Sequence, residues 1–221
     1  MVDATSIEEE YLERIYRFEE AGKKRVKTTA LAEDLKISPA SVTEMISGSL
    51  SRKGLVDYKP YKGVKLTEKG RSIAASLIRK HRLAEKLLVD VVGVKWDDSH
   101  QEACKLEHAL SEGVVDKIDD ALGKPDSCPH GNVIPDSEGN VKPDNSTPLT
   151  DLEPPQMAEV TRISNEKTEI LNQLCSLGIL PGVKLKLVQK TPLDGPILVN
   201  LGKCQVALGH DIAKLIRVKP A

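Results

Sequence analysis

The feature that most constrains this chain lies between Gly123 and Pro155, where seven of its thirteen prolines fall among Asn, Asp, Ser and Gly. Proline lacks an amide hydrogen and fixes its own φ, so such a stretch neither continues a helix nor sits inside a sheet. It divides the 221 residues into two unlike parts. Ahead of it, apolar residues recur at three- and four-residue spacing. Behind it, short apolar runs alternate between glycines. The change of period across a Pro-rich stretch predicts an α+β multidomain protein joined by a linker with little regular structure.

In the first part, Ile7, Tyr11, Ile15 and Phe18 predict an amphipathic helix over 6–21, ended by Ala21 and Gly22. Thr28 and Thr29 open a short helix with hydroxyls suited to capping its free amides. Ser38 then caps a third helix that has Pro39 at its first position, where a missing N–H costs nothing, and that runs towards Lys53 before Gly54. Residues 55–58 read as a strand, 59–63 as a turn and 64–66 as the return strand. Helix, short helix, turn, helix, hairpin is the order of a winged helix-turn-helix. Residues 23–82 carry fifteen basic and five acidic groups, in a chain whose overall charge is −1. That block is an electrostatic footprint for a polyanion. Small and hydroxylated side chains at the start of the third helix suit close entry to a major groove. Lys59, Lys62 and Lys65 lie where a wing meets the phosphate backbone. The candidate contacts to double-stranded DNA are Thr28, Ser38, Pro39, Ala40, Ser41, Thr43 and Lys62. Few long polar side chains stand on the reading helix, which predicts readout leaning on shape.

Thr67 to Gly70 opens a long helix to about Val91, and Asp97 to Ser99 starts another through His108, continuing to Leu122 with a break near Gly113. On the second, Cys104, Glu107 and His108 fall at i, i+3 and i+4, with His100 one turn earlier. On the first, His81 and Glu85 are four apart. Soft thiolate, carboxylate and imidazole on shared helix faces are the donor set of a transition metal. Glu10 and Glu13 form a further carboxylate pair on the first helix of the chain. The string from Cys104 to His108 echoes a zinc-protease pattern. Glu107 is better used as a ligand, however, and no nucleophile or oxyanion-stabilising motif accompanies it, so no enzymatic activity is expected.

Beyond the Pro-rich stretch, strands over 158–163, 184–189, 197–201, 204–208 and 215–218, with one short helix near 167–177, fit a small β-barrel of about sixty residues. The cysteines at 104, 128, 175 and 204 form no C-x-x-C pair and read as free thiols. Cys175 and Cys204 are expected as small buried residues of the barrel, and Cys128 with His130 as parts of a structural turn. Aromatic residues make up 3% of the chain, too few for base-stacking platforms. No segment approaches the ~20 apolar residues of a membrane span. Acidic residues at 3, 8, 9 and 10 stand where a secretory signal needs a positive end, so a soluble, cytoplasmic protein without a membrane partner is expected.

Four strings resemble the diphtheria toxin repressor and iron-dependent repressor family, which includes manganese-sensing relatives. They are Glu9 to Tyr16, Lys80 to Leu88, His100 to His108, and Cys128 to Pro135. The part beyond the linker is similar to the SH3-like domain of these repressors and of ferrous transport protein A. The resemblance implies a winged helix-turn-helix over 1–73, a helical dimerisation and metal-binding domain over 74–135, a linker over 136–155 and an SH3-like domain over 156–221. It implies a homodimer that binds operator DNA when divalent metal is sufficient and represses metal-uptake genes. The activating metal site would use Glu10, Cys104, Glu107 and His108. The ancillary site would use His81, Glu85 and His100 with Glu166 and Glu169 from the barrel. Toxin repressors carry Met where this chain has Glu10, and manganese sensors carry Glu where it has Cys104. One thiolate, one imidazole and two carboxylates favour Fe(II), with Mn(II) the alternative and Co, Ni or Zn as substitutes in vitro. Two further departures are a third helix one residue longer than the family spacing, with a weakening Gly48, and extra polar residues from Asp136 to Thr150 that predict a loosely tethered barrel. The rival expectation is a winged-helix regulator whose metal is purely structural.

Overall fold

A computed structural model describes residues 4–221. Met1 to Asp3, including the acidic residue expected to oppose a secretory signal, lie outside the described residues. The chain forms two compact units. One runs to Lys80 and includes Pro135–Val141, and the other comprises His81–Ile134 and Lys142–Ala221.

The first unit opens with α1 (Ser6–Glu20), whose Thr5 and Glu8 make a reciprocal capping box. Glu8 does more than cap. Its carboxylate accepts hydrogen bonds from Ser49 and from Lys53 Nζ at 2.7 Å, tying α1 to the far end of the reading helix. Next come α2 (Thr28–Leu35) and α3 (Pro39–Met45). Thr28 and Thr29 do not cap α2: its cap residue is Lys27, in extended backbone, and no side chain bonds the first amides. Ser38 does cap α3, accepting from the Ser41 amide at 3.1 Å, with Pro39 in the first turn. The helix does not break at Gly48, where the sequence predicted a weakened end. Residues Ile46–Leu50 wind as one π-helical turn, which holds an additional residue without leaving the helix. Two strands follow, β1 (Val56–Lys59) and β2 (Gly63–Leu66), paired antiparallel. Val26 bridges to Val64, and a Cβ on Gly63 would fall 2.4 Å from the Val26 carbonyl oxygen, so only glycine admits this approach. Leu12, Ile15, Leu31, Val42, Ile46, Leu50, Leu55 and Val64 form the core beneath.

Helix α4 (Glu68–Leu87) carries the chain into the second unit and ends in a second π-helical turn, Leu88–Val92. The following helix stops earlier than expected. α5 is Ser99–Leu106, α6 is Glu112–Ala121, and Gly113 lies inside α6 rather than at the break. The C-terminal part is an antiparallel sheet in the order β3-β8-β4-β5-β6-β7. Its strands are β3 (Thr147–Pro148), β4 (Gln156–Ile163), β5 (Lys184–Lys190), β6 (Ile197–Leu201), β7 (Cys204–Leu208) and β8 (Ile216–Pro220). Leu171 and Leu174 of α7 (Thr168–Ser176) and Ala213 of α8 (His210–Leu215) fill its core with Val160, Leu185, Leu187 and Val199. Residues 147–152 belong to this sheet rather than to an unstructured linker: β3 pairs with β8, and Leu149 and Leu152 are buried in the same core. The sheet falls in one compact unit with the helices from His81 to Ala121, and Trp96 packs on its core. Cys175 is only half-buried and Cys204 is exposed, so neither is the buried apolar residue expected.

Candidate metal centre and nucleic-acid interface

The candidate DNA-contact residues are held by local rules. Ser38, Pro39, Ala40 and Ser41 are exposed at the start of α3, and Thr43 is half-buried. Ser38 and Ser41 hydroxyls lie 2.9 Å apart, while Thr43 Oγ1 donates to the Pro39 carbonyl at 2.8 Å. These bonds restrain each hydroxyl, and each oxygen keeps further acceptor capacity. Thr28 is half-buried at the start of α2. On the wing, Lys62 is exposed beside Tyr61, which is entirely uncovered and has a positive φ of 63°. Arg25 pins the wing from below, donating to the Asp57 carbonyl at 2.9 Å and the Gly63 carbonyl at 3.2 Å.

The second unit buries the opposite kind of surface. His81 and Glu85, one turn apart on α4, are fully buried, and α5 brings His100 and Cys104 over them. His81 Nε2 lies 2.9 Å from Glu85 Oε1 and 2.9 Å from His100 Nδ1, which is itself 3.1 Å from the same carboxylate oxygen. The other His81 nitrogen is 2.5 Å from Glu107 Oε2. A carboxylate on the far side of an imidazole fixes its orientation and strengthens it as a ligand. Glu166, buried just before α7, approaches His100 Nδ1 at 3.5 Å.

A third segment enters that the sequence reading had set aside. Cys128 and His130 do form a turn, but both are buried, and His130 Nδ1 lies 3.3 Å from Glu85 Oε1 and 3.7 Å from Glu166 Oε1. Cys128 Sγ is 4.0 Å from both His130 Nδ1 and Glu166 Oε1. Asn132 donates to Glu166 Oε1 at 2.5 Å and to the Ile163 carbonyl at 3.2 Å, holding the carboxylate in position. Gly131 makes the approach possible: at its φ of +84°, a Cβ would fall 2.0 Å from the Thr161 carbonyl oxygen. The available signal was the Cys-x-His spacing followed by Gly and Asn, two ligand types held in a turn that only glycine closes.

The remaining candidates sit outside the buried cluster. His108 is exposed, with Nε2 3.3 Å from Glu107 Oε1. Glu169 is exposed in the first turn of α7. Glu10, in the winged unit, is exposed on α1, whereas Glu13 is buried and accepts from Arg17 Nε at 2.7 Å, so the two do not share one environment.

Titration in the cluster follows from charge crowding. Burial pulls His81 down, but the Glu85 charge and hydrogen bonds with Cys104, Glu107 and Glu85 outweigh it and hold the imidazole well above its usual value. His130 behaves alike: burial opposes, while Glu85 and Cys128 raise it. Burial pushes Glu85 up, yet His81 and His130 draw it well below the ordinary carboxylate range. Burial likewise opposes ionisation of Cys104, but hydrogen bonds from His100 and His81 bring the thiol to about 7.

The donor set fits a divalent transition metal on direct observations. Glu85 Oε2 is buried without a hydrogen-bond partner, and three imidazoles converge on Oε1. His130 Nε2 donates to the Trp96 carbonyl at 3.0 Å, which turns its Nδ1 towards Glu85 Oε1 and Glu166 Oε1. Positive charge at that point, a proton on Nδ1 or a metal ion, balances the two carboxylates.

A winged helix on the same chain as a buried Cys/His/Glu cluster defines a metal-dependent transcriptional repressor. Three family models match in series: the iron dependent repressor N-terminal DNA binding domain over residues 3–64, the iron dependent repressor metal binding and dimerisation domain over 67–136, and the FeoA domain over 147–220. The chain is 35% identical to the iron-dependent repressor IdeR of Mycobacterium tuberculosis, over 99% of this chain and 98% of that protein. It is 30% identical to the diphtheria toxin repressor of Corynebacterium diphtheriae, over 99% of each. Among solved structures, a manganese-dependent transcriptional repressor in complex with manganese superposes with a TM-score of 0.89 at 33% identity, covering 96% of this chain and 99% of that one. IdeR of T. acidophilum superposes at 0.83 and 30% identity over the whole of both chains. The protein belongs to the iron-dependent repressor family.

Proposed function

We propose that this protein is a cytoplasmic, homodimeric sensor that binds operator DNA when loaded with Fe(II), or with Mn(II) where that ion prevails, and so represses metal-uptake genes. The observation that carries the reading is the buried convergence of His81, His100 and His130 on Glu85, whose second oxygen has no hydrogen-bond partner. No helix among the described residues is long and apolar enough to cross a membrane.

In this proposal Cys104, Glu107 and His108, with Glu10 of α1, hold the activating ion, while His81, Glu85, His100 and Glu166 hold the ancillary one. Glu169 enters on the resemblance alone. When bound, the ion supplies positive charge and directional bonds to donors that otherwise repel one another. Glu107 serves twice, orienting His81 through one oxygen and facing His108 with the other. The thiolate of Cys104 and mixed nitrogen and oxygen donors favour Fe(II) over harder ions, and Co, Ni and Zn suit the same donors in vitro. Ser38, Pro39, Ala40, Ser41 and Thr43 address the major groove, with Thr28 and Lys62 on the flanking phosphates. Val91, Val92, Leu106 and Val114 are exposed apolar residues of the second unit, and we assign them to the dimer contact. The proposal is a regulator and not an enzyme.

An effector ion acts only through its greater affinity for the DNA-competent state. Cys104→Ala and Glu107→Ala are therefore expected to abolish metal-stimulated DNA binding while circular dichroism stays near wild type, with Glu107→Ala melting lower in chelator because buried His81 loses a partner. An unchanged metal response in both variants removes the assignment.

A further inference from the structure

Glu8, in the first turn of α1, is a carboxylate buried against the far end of the reading helix. It is 3% exposed, and both of its oxygens accept hydrogen bonds. Oε1 accepts from the Ser49 hydroxyl, and Oε2 accepts from the Thr5 amide and from Lys53 Nζ, each at 2.7 Å. Ser49 and Lys53 are four residues apart, so they lie on one side of the reading helix and its end. Ser49 is inside the π-helical turn. There the Ser51 amide reaches back five residues to the Ile46 carbonyl, and the Ser51 hydroxyl bonds the same carbonyl at 2.6 Å. A π turn takes more residues per revolution than an α turn. It therefore resets which way the following residues point relative to Ser38, Ser41 and Thr43. Glu8 grips the helix where that reset occurs.

The cations at this helix end are engaged within the protein. Arg52 Nε donates to the Gly48 carbonyl at 3.1 Å, Lys69 Nζ donates to the Lys53 carbonyl at 3.2 Å, and Lys53 Nζ is paired with Glu8. On the wing, by contrast, Lys59 and Lys62 are exposed. An exposed lysine binds any duplex through its phosphates and adds affinity without reading sequence.

We propose that Glu8 is a positioning residue for DNA reading, which seats the end of the reading helix on α1 through Ser49 and withholds the Lys53 charge from the phosphate backbone. The inference rests on the operator-binding reading and deepens it, adding a determinant of specificity away from the contact surface. A buried ion pair adds little net stability over apolar residues packed in the same space, because both charges lose water. What this one supplies is geometry: donors 41 and 45 residues along the chain meet one carboxylate. Loss of Glu8 acts on DNA binding in two ways. The helix end adjusts more freely to any sequence, which lowers discrimination. Lys53 becomes available to phosphate, which raises binding to every sequence.

The test is fluorescence anisotropy of the full chain in saturating Mn(II) on two labelled duplexes, the gene's own upstream region and a shuffled sequence of the same composition, each over a range of salt. Glu8→Gln is expected to cut the ratio of the two affinities about tenfold, comparable to one mismatched base pair, and to tighten binding to the shuffled duplex. Salt dependence on that duplex is expected to steepen by about one counterion per protomer. Adding Lys53→Met to Glu8→Gln is expected to reverse the tightening and the slope, while operator affinity stays below wild type. A role confined to stability lowers the melting temperature of Glu8→Gln and leaves ratio and slope unmoved, and that result overturns the proposal. Where Glu8→Gln does not fold, Ser49→Ala takes its place. It is expected to weaken operator binding about threefold with the salt slope unchanged, and wild-type operator affinity in Ser49→Ala overturns the proposal. A wild-type chain that does not discriminate the two duplexes removes the operator-binding reading itself, whereas wild-type discrimination retained in Glu8→Gln removes only this inference.

Discussion

The winged unit and the metal-binding unit place their functional side chains under opposite physical conditions. At the reading head, hydroxyls and lysines are exposed, and Ser38, Ser41 and Thr43 already make hydrogen bonds within their own helix turn. In the cluster, His81, Glu85 and His130 are fully buried, and Glu85 Oε2 has no hydrogen-bond partner. An exposed reader tolerates incomplete pairing because water completes it. A buried polar atom without a partner costs roughly 1–3 kcal/mol, and a cation on Glu85 Oε2 would relieve that cost. The first region is thus specified by neighbours in sequence and the second by three distant segments meeting.

The largest expected effect comes from breaking the cluster at its shared residue. Glu85→Ala should lower Mn(II) affinity about 100-fold or more by isothermal calorimetry, since outer-shell changes alone cost 10–100-fold. Ser38→Ala at the reading head should leave that affinity unchanged. Gly131→Ala comes next. Its Cβ meets the Thr161 carbonyl oxygen at 2.0 Å in a positive-φ turn, so chemical denaturation in chelator should show a loss of about 2 kcal/mol or more, together with weakened metal binding.

Acid and base should separate the two regions. His81 and His130 have folded-state values above the unfolded imidazole, so their stabilisation is complete below about pH 6.5 and is lost as pH rises through the folded values. Glu8 is held at about 2 against 4.5, because hydrogen bonds from Lys53, Ser49 and the Thr5 amide outweigh its burial. Its contribution is present above 4.5 and lost as pH falls towards 2. Region-resolved hydrogen exchange on metal-free protein should show the cluster loosening as pH rises above the ordinary imidazole range, and α1 loosening against residues 49–53 in acid. Glu85, also held low, adds an acid-side loss to the cluster. The smallest effect is Gly48→Ala. The added methyl has only Arg52 Nη2 near it, at 4.0 Å, so thermal melts should show a gain of no more than ~1 kcal/mol.

Much of this was legible in the sequence. Ser38 before Pro39 marked the reading helix, and the three-to-four-residue spacings of His81, Glu85, His100 and Cys104 marked the helix faces that meet. What was not legible depends on tertiary contact. Cys128 and His130 look like turn residues locally, and only the packing of their loop on β4, where the Ile163 amide donates to the His130 carbonyl, carries them to Glu85. Thr28 and Thr29 looked like caps, yet the helix begins at Thr28 itself, so Lys27 takes the cap position. The π-helical turn at Ile46–Leu50 hides in sequence because an added residue can also break a helix, and Ser49 and Lys53, bonded to Glu8 across the core, favour continuing it.

The most direct measurement is anaerobic fluorescence anisotropy of a labelled duplex from the gene's own upstream region, titrated with protein in Fe(II), in Mn(II) and in chelator. Saturable binding with either ion and none in chelator is the predicted result. Equal binding by the metal-stripped protein, still folded, would contradict the claim that the buried cluster governs the reading head.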